Sequence, residues 1–525
     1  MVVRGDQVLD SPGGSCSRAS TQASPMRNMS SASGGLYVSA PGKIILFGEH
    51  AVVYGRTAIA GSIDLRTYVS MFTSADGRIY LSLPDLGVEK TWLLKDLLKA
   101  ADRLAAEHPV EDDQPPSLEV VVPIARKLSG SCEDQCGVQH LAILAFWYLL
   151  LGVAHRKSVL ASTGKTEGAA ADGDQSKLAS DLLAVKATVR FKLPSCVGLG
   201  SSGAYCVCIA TSLLQTAGLI PSPSIETDEE GTLTWEDPHL DMIRKWATAA
   251  ESLIHGRASG LDAAVCTFGG VASYKPGTRI EHLKNLPDLR VILVNSKVER
   301  NTSRMVQTVK ERLRKFPDVV EGIFSTIDAI SREAAKILHK PADDGTEIEE
   351  KHEKLENGGT TVPDSDHHSL QPNRAGSVRS QSLASYVAGG KRGSSASAVS
   401  AMSEKGELSD TFSKLNDLCR INNQLLIGLG VGHPKVDQIC TTLARYGIHP
   451  KMTGAGGGGS VFAFLKPDTP QTLLDMMTAE LAKLGYEVWQ PPLGGAGVVE
   501  HQRRPDLFVT APSTTCSTPA ASRHK

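Results

Sequence analysis

The chain has 525 residues, more than one hydrophobic core usually serves, so its length predicts two domains. A net charge of −2 and an aromatic content of 5 % lack the basic, aromatic-rich character of proteins that bind nucleic acid or anionic membranes, and we expect neither partner. The ten cysteines are scattered and complete no zinc-ligand spacing, which predicts reduced thiols in an intracellular protein.

The predicted N-terminal domain spans 36–275 and follows a Ser- and Gly-rich segment, 1–35, that we predict to be disordered. The longest apolar run, 141–154, falls short of the roughly 20 residues that cross a bilayer, so we predict a buried helix there. The polar stretch that follows, 155–181, is predicted to be an insertion. Hydrophobic periodicity predicts strands at 44–47, 65–71, 79–83 and 187–192, helices at 202–214 and 241–254, and a loop at 221–238.

The predicted C-terminal domain spans 276–500 and contains a long polar stretch, 341–408, that is too poor in large apolar residues to pack and is predicted to be a disordered insertion. Its predicted elements are strands at 291–294 and 461–465 and helices at 412–426 and 436–443. The remaining residues, 501–525, are predicted to be a tail. Neither end carries a signal core or a peroxisomal address, so we expect a cytoplasmic location, with peroxisomal import left open.

A glycine-rich segment, 194–203, lies between a predicted strand and a predicted helix. Its glycines let the backbone approach an anion closely, and the N–H groups at the start of the helix supply donors and a favourable dipole. Two consecutive serines, Ser201 and Ser202, can contact phosphate and a metal ion there. The alternative interpretation is a glycine-rich turn with a serine cap.

Two further segments combine glycines with polar residues. In 451–460, five glycines fall in six positions directly before an apolar strand, which indicates a close backbone approach; a flexible linker is the alternative. In 40–55, Lys43, Glu49 and His50 surround an apolar run. Taken alone, this last segment is an ordinary strand with polar flanks.

Together and in this order, the three motifs resemble the GHMP kinases, the superfamily of galactokinases, homoserine kinases, mevalonate kinases and phosphomevalonate kinases. The stretches that favour the mevalonate kinases within it are 62–68, 254–262, 297–302 and 429–433. The resemblance covers about residues 36–500 apart from the insertions. It implies an α+β fold of two domains with the active site in the cleft between them, and ATP-dependent phosphorylation of (R)-mevalonate to (R)-5-phosphomevalonate in the route to isoprenoids and sterols. It also implies Mg²⁺ as a cofactor and a homodimer.

The resemblance implies a role for each matched residue. Asp262 would be the catalytic base at the substrate hydroxyl, and Lys43 would lie beside it and the γ-phosphate, where a cation stabilises spread charge. Ser202 and Glu251 would hold Mg²⁺, which prefers oxygen ligands. The residues implied for ATP are Lys43, Cys196, Val197, Gly198, Leu199, Gly200, Ser201 and Ser202. The residues implied for mevalonate are Glu49, His50, Ile254, Arg300 and Thr302.

The sequence departs from the family pattern at the phosphate loop and at one nucleotide contact. Ser195, Cys196 and Val197 stand where the family carries Pro-Gly-Ala; if the family glycine needs a positive φ, Cys196 predicts a strained loop and weaker ATP binding. Asp85 stands where relatives use Asn against the nucleotide, so that contact is in question.

Two other functions remain open from the sequence. One is a different GHMP small-molecule kinase, and the other is a non-catalytic GHMP relative that senses a ligand and acts through a partner. The joint presence of Lys43, Ser202, Glu251 and Asp262 speaks against the second. Taken singly, each of these residues also has a structural explanation, such as a helix cap for Asp262 or a solvated strand end for Lys43.

Overall fold

The computed structural model describes residues 35–109, 113–130, 137–162, 183–194, 197–256, 258–299, 301–339 and 396–509, and for His255 and 396–409 the backbone alone. Several predictions from the sequence lie outside these residues. They are the disorder predicted for 1–34, the remainder of both insertions, the tail beyond 509, and the ligand roles of Cys196 and Arg300.

The described residues form eleven helices and fifteen strands. The helices are α1 (Leu94–Glu107), α2 (Leu118–Ser129), α3 (Val138–Ser162), α4 (Ser201–Thr216), α5 (Asp237–His255), α6 (Leu261–Phe268), α7 (Thr302–Lys315), α8 (Pro317–Leu338), α9 (Ala396–Gly428), α10 (Pro434–Ala444) and α11 (Gln471–Lys483). The strands are β1 (Leu36–Phe47), β2 (Ala58–Thr73), β3 (Arg78–Leu83), β4 (Val88–Leu93), β5 (Val185–Phe191), β6 (Ile225–Glu226), β7 (Thr232–Thr234), β8 (Val271–Tyr274), β9 (Glu281–Leu283), β10 (Leu289–Asn295), β11 (Lys451–Met452), β12 (Ser460–Leu465), β13 (Glu487–Trp489), β14 (Pro492–Leu493) and β15 (Val499–His501).

The long strand β2 is the centre of the sheet, because it pairs antiparallel with β1, β5, β8 and β14. The main path through the sheet runs β11-β12-β10-β14-β2-β1-β15-β7-β6. Strands from the end of the chain, β14 and β15, therefore join the N-terminal strands, and β10 connects them to the C-terminal strands. Among the described pairs, only β3 with β5 is parallel.

Two main hydrophobic cores flank this sheet. The larger one is built around α3 and α4 and takes in β1, β2 and β5. The second is built from β10, β12 and the helices α8, α10 and α11. By length and composition α3 could cross a membrane. However, 78 % of its most apolar 18-residue stretch is buried inside the fold, as in the core helix of a globular protein. The buried helix predicted at 141–154 is thus confirmed, within a longer element.

The structure corrects where the first predicted insertion begins. The sequence predicted a polar insertion from residue 155, but α3 continues to Ser162. Its polar residues are accommodated because His155 Nε2 lies 2.9 Å from the His108 carbonyl, and Arg156 pairs with Asp113 at 2.9 Å. The polar side chains of His155 and Arg156 therefore contact a neighbouring loop and are not exposed to solvent.

Three other predicted boundaries also differ from the structure. The helix predicted to begin near 410 begins at Ala396, because a helix that is packed at one end extends readily through Ala- and Glu-containing sequence. The predicted loop 221–238 contains β6 and β7. The predicted tail packs as far as Phe508, which is buried with its ring centroid 6.0 Å from that of Tyr37.

Candidate active site

Lys43 lies on β1 where this strand is fastened to the glycine-rich loop before α4. Its N–H donates to the Leu199 carbonyl at 2.8 Å, and a Cβ added at Gly42 would lie 2.7 Å from that same carbonyl. The Lys43 side chain is only 7 % exposed, and its Nζ lies 2.8 Å from Oδ1 of Asp262.

The glycine-rich loop follows β5 and runs directly into α4, which confirms the predicted order of strand, loop and helix. Gly198 and Gly200 have φ of 88° and 75°, values that side chains other than glycine rarely adopt. A Cβ added at Gly200 would also lie 2.8 Å from Cγ of Lys43. The helix then begins at Ser201, so the first N–H groups of a 16-residue helix are directed to the loop.

Asp262 lies in the first turn of α6, after Gly260, whose φ is 79°. The start of α6 packs against the start of α4, where a Cβ added at Gly203 would lie 3.1 Å from the Cβ of Asp262. Close packing of the two helix starts brings Asp262 to the serines of the glycine-rich loop. The structure therefore joins Lys43, Ser202 and Asp262, which are far apart in the chain.

Glu251 lies on α5 and is 2 % exposed. The Ser202 hydroxyl donates to its Oε1 at 3.3 Å. Burial, together with the negative charge of Asp262, raises the pKa of the Glu251 carboxyl to about 8. A buried carboxylate beside a second carboxylate is a site where a bound cation would compensate the charge.

Lys43, Ser202 and Asp262 line a cavity of about 290 Å³. Much of the remaining wall is apolar and includes Tyr205 and Ile254. The lining residues are Lys43, Leu86, Val138, Leu141, Ala142, Phe191, Gly198, Gly200, Ser201, Ser202, Tyr205, Ile254 and Asp262. A cavity that combines an apolar wall with the N–H donors of a helix start suits a base joined to a phosphate chain.

Asp85 supports the wall of this cavity. Its Oδ2 accepts hydrogen bonds from the Phe191 N–H at 2.9 Å and from Arg190 Nε at 3.2 Å. The adjacent Leu86 lines the cavity, and its carbonyl accepts from Gln139 Nε2 at 2.7 Å. The carboxylate at this position therefore holds the end of β5 in place.

Glu49, which the resemblance implied for the substrate, is enclosed inside the protein. Its side chain is 0 % exposed and forms an ion pair with Lys451, whose side chain is equally buried. Asn422 Nδ2 donates to the second carboxylate oxygen at 3.3 Å. This placement argues against direct contact with a substrate, because both carboxylate oxygens are engaged inside the protein.

The other residues predicted for the substrate lie in different places. His50 is buried, has φ of 60°, and donates from Nε2 to the Ala455 carbonyl at 2.8 Å. Ile254 lines the cavity together with Asp262. Thr302 is exposed at the start of α7, next to Asn301, which caps that helix.

The glycines of the third motif are explained by packing within the protein. A Cβ added at Gly457 would lie 2.5 Å from Sδ of Met305, and one at Gly458 would lie 2.6 Å from Cγ1 of Val298. A Cβ added at Gly456 would lie 2.5 Å from the Val431 carbonyl oxygen. The close backbone approach predicted here is therefore found, but its described partners are residues of the C-terminal half.

Several residues of the site were not anticipated from the sequence. Lys451 and Thr453 contact the first motif, and Leu86, Phe191 and Tyr205 form part of the cavity wall. Lys451 lies three residues before the first glycine of the run, and this closeness is the local signal that could have indicated it. The apolar wall residues have no local signal, since only the fold brings them together.

Comparisons with known proteins identify the family of the chain. Residues 405–483 match the family described as GHMP kinases C terminal. The chain is 32 % identical to a mevalonate kinase of Bos taurus over 466 residues, which cover 89 % of this chain and 95 % of that protein. A mevalonate kinase of Arabidopsis thaliana is 27 % identical, with 87 % of this chain and 97 % of that protein covered.

A solved structure supports the fold independently. The Methanococcus jannaschii mevalonate kinase superposes with a TM-score of 0.51 and 19 % identity, covering 88 % of this chain and 99 % of that chain. At this level of identity the likeness shows the fold, whereas the bovine relative, matched over nearly its whole length, shows the family. The chain, with Lys43, Ser202 and Asp262 gathered at one cavity, belongs to the mevalonate kinase family of the GHMP kinases.

Proposed function

We propose that this chain transfers the γ-phosphoryl group of ATP to the primary hydroxyl of (R)-mevalonate, forming (R)-5-phosphomevalonate and ADP in the route to isoprenoids and sterols. The observation that carries the proposal is the 2.8 Å contact between Lys43 and Asp262, both of which line the cavity. Phosphoryl transfer requires positioning of the nucleophile and neutralisation of spread charge, and this pair can supply both. The full-length likeness to mevalonate kinases supports the choice of substrate.

In the proposed step, the substrate hydroxyl oxygen forms a bond to the γ-phosphorus while the bond from that phosphorus to the bridging oxygen of ADP breaks. ADP leaves with the electron pair of the broken bond. The hydroxyl proton passes to Asp262, whose side chain is 27 % exposed and hence reachable from the cavity. Lys43 stabilises the negative charge on the transferred group, and the N–H groups at the start of α4 hold the phosphate chain.

Ser202 and Glu251 fit a magnesium ion by the chemistry of their oxygen atoms. Within the described part of the chain, no group of three His, Cys, Asp or Glu residues could hold a metal ion. Magnesium needs no such cage when one carboxylate and the phosphates of a nucleotide share it with water. When bound, the ion would neutralise phosphate charge, and Ser202 and Glu251 would keep it at the loop side of the cavity.

The substrate is tested with a panel. Release of ADP by the purified full chain is measured with mevalonate, phosphomevalonate, galactose and homoserine as acceptors. We expect turnover with mevalonate at least about a hundredfold above the others, since a site built for a given acceptor rejects those that leave its polar groups unpaired. Turnover with galactose or homoserine alone would overturn the proposal.

We also propose a homodimer in the cytoplasm, and the family resemblance supports both. Light scattering of the purified protein should give twice the mass of one chain, and a monomer would refute the dimer. A tagged chain at native expression level should fractionate with cytosolic markers. Co-sedimentation with peroxisomes would contradict the proposed location.

A further inference from the structure

A buried ion pair joins the first and third glycine motifs. The side chains of Glu49 and Lys451 are fully enclosed, and Nζ of Lys451 donates to the Glu49 carboxylate and, at 2.8 Å, to the Met452 carbonyl. Nζ also lies 5.7 Å from the ring centroid of Phe47 and 5.1 Å from that of Phe462. Replacing such a pair by apolar residues often leaves stability unchanged, so its presence suggests a role other than stability.

Polar contacts on both sides of the pair connect the same two segments. The Thr453 hydroxyl donates to the Ile45 carbonyl at 2.9 Å, and its oxygen accepts from the Ile45 N–H at 3.0 Å. Two residues before Ile45 on the same strand is Lys43. On the other side, His50 donates to the Ala455 carbonyl at 2.8 Å. We refer to Ile45, Glu49, His50, Lys451, Thr453 and Ala455 together as the clamp.

The clamp lies outside the nucleotide cavity. No clamp residue is among those that line the cavity, which come from 43–262. The third motif also touches the start of α7, through Gly457 against Met305, and the preceding loop, through Gly458 against Val298. The clamp thus ties β1 and His50 to the loop and helix that carry Thr302, the part of the molecule on which the family resemblance places the acceptor.

The conformation of His50 also depends on the clamp. A φ of 60° at a residue other than glycine costs energy and persists only where surrounding contacts impose it. The neighbouring Glu49, held by Lys451, and the hydrogen bond to Ala455 are among the contacts that hold it here. Loss of the ion pair would therefore release His50 before it disturbed the residues around ATP.

We infer that Lys451 is a positioning residue for the phosphate acceptor. It acts through Glu49 to hold His50 and the third motif at a fixed position relative to Lys43. The inference rests on the proposed function, because it concerns the mevalonate side of the same site. It predicts an effect on the acceptor that is separable from ATP binding, since the clamp and the cavity share no residue.

The test uses Lys451→Met, Glu49→Gln and the double variant of the full chain. Steady-state kinetics give kcat and the KM for mevalonate, and a fluorescent ATP analogue gives nucleotide affinity without acceptor. We expect each single variant to raise the KM for mevalonate about tenfold or more and to lower kcat, with nucleotide affinity within about threefold of wild type. The double variant should be less impaired than the product of the single effects, because it leaves no unpaired buried charge.

Arg156→Met is the matched structural control. It removes another nearly buried cation, paired with Asp113 toward the far end of α3 from the cavity. Its kinetic constants should match wild type once activity is normalised to folded protein. If Lys451→Met fails to fold, Thr453→Val removes only the hydroxyl that binds Ile45 and should raise the mevalonate KM in the same manner.

The outcomes separate the two proposals. A folded Lys451→Met or Thr453→Val variant with a wild-type KM for mevalonate would overturn the positioning role, as would an equal loss of nucleotide affinity. A wild-type chain that does not phosphorylate mevalonate at all would instead refute the proposed function. The expected split between acceptor KM and nucleotide affinity would not arise from general destabilisation.

Discussion

Gly203 and Asp262 meet where two helices begin, and a Cβ added at Gly203 would come within 3.1 Å of the Cβ of Asp262 and 3.3 Å of its carbonyl carbon. The backbone of α6 cannot give way easily, because its start is fixed by Gly260 and its end by the loop between β14 and β15, where the Val498 N–H donates to the Thr267 carbonyl at 3.0 Å. The absence of a side chain at Gly203 therefore sets the distance between the phosphate-binding loop and the proposed base.

Gly203→Ala should displace Asp262 and lower kcat by about ten- to a hundredfold, since sub-ångström to 1 Å errors in placement have effects of this size. The matched control is Gly322→Ala on α8, where an added Cβ meets nothing within 4 Å. That variant should keep full activity and gain about 0.4–1 kcal/mol in free energy of unfolding. Wild-type kcat in Gly203→Ala would show that the close packing does not position Asp262.

Asp262→Asn should lower kcat by about 10²–10⁴-fold, because the amide keeps the shape of the side chain but cannot accept the hydroxyl proton. Binding of the ATP analogue should stay measurable. Asp241→Asn serves as the control, since that carboxylate lies on α5, is 43 % exposed and pairs with Arg244. Turnover by Asp262→Asn equal to that of Asp241→Asn would eliminate Asp262 as the base.

Glu251→Gln and Ser202→Ala should raise the Mg²⁺ concentration that gives half-maximal activity by about ten- to a hundredfold. Chelation with EDTA should abolish wild-type activity, and added Mg²⁺ should restore it. Glu500→Gln is the control, because Glu500 is a partly buried carboxylate on β15 that accepts from Gln215 Nε2 at 2.8 Å. An unchanged Mg²⁺ requirement in Glu251→Gln would place the metal elsewhere.

His501 should make stability depend on pH. Arg66 Nε donates to Oγ of Ser39 at 2.8 Å, and Nε2 of His501 lies 2.8 Å from the same oxygen, so the imidazole is held between a hydroxyl and a nearby guanidinium. Burial lowers the pKa of His501 to about 4 from 6.5, and the charge of Arg66 acts in the same direction. The unfolded chain therefore binds more protons between these two values, and the free energy of unfolding falls as the pH drops from about 6.5 to about 4.

His501→Gln should remove this component, because glutamine can still accept from Ser39 but does not titrate. Urea unfolding at pH 6.5, 5.5 and 4.5 should show the wild type losing up to about 2 kcal/mol more than the variant over this range, at about 1.4 kcal/mol per pKa unit. Parallel losses in the two proteins would mean that His501 is not held neutral in the folded state.

Much of the candidate site could be predicted because its parts are local in the chain. The strand, glycine loop and helix around Gly200 follow from residue pattern alone, and the structure confirms this order. The closeness of Lys43 and Asp262, which are far apart in the chain, was implied by the family resemblance alone, and the structure places them together. Positive φ at Gly198 and Gly200 and the donors at a helix start are properties of short segments, so the sequence reports them directly.

Other features could not be predicted because they depend on pairs of residues far apart in the chain. Glu49 carried a substrate role by resemblance, but its partner Lys451 lies about 400 residues away and encloses it. The polar residues of α3 beyond 154 read as an exposed insertion, although His155 and Arg156 are satisfied by the loop after α1. Neither set of contacts can be recognised from the residues that adjoin it in the sequence.

The sequence by itself determined the chemistry of this protein, namely a lysine, two serines, a glutamate and an aspartate set among glycines that admit a phosphate chain. Only the tertiary structure decided which charged residues line the cavity and which are enclosed in the protein interior. The physical reason is that a residue type dictates local backbone conformation and charge, whereas burial and pairing arise when close packing brings distant segments together.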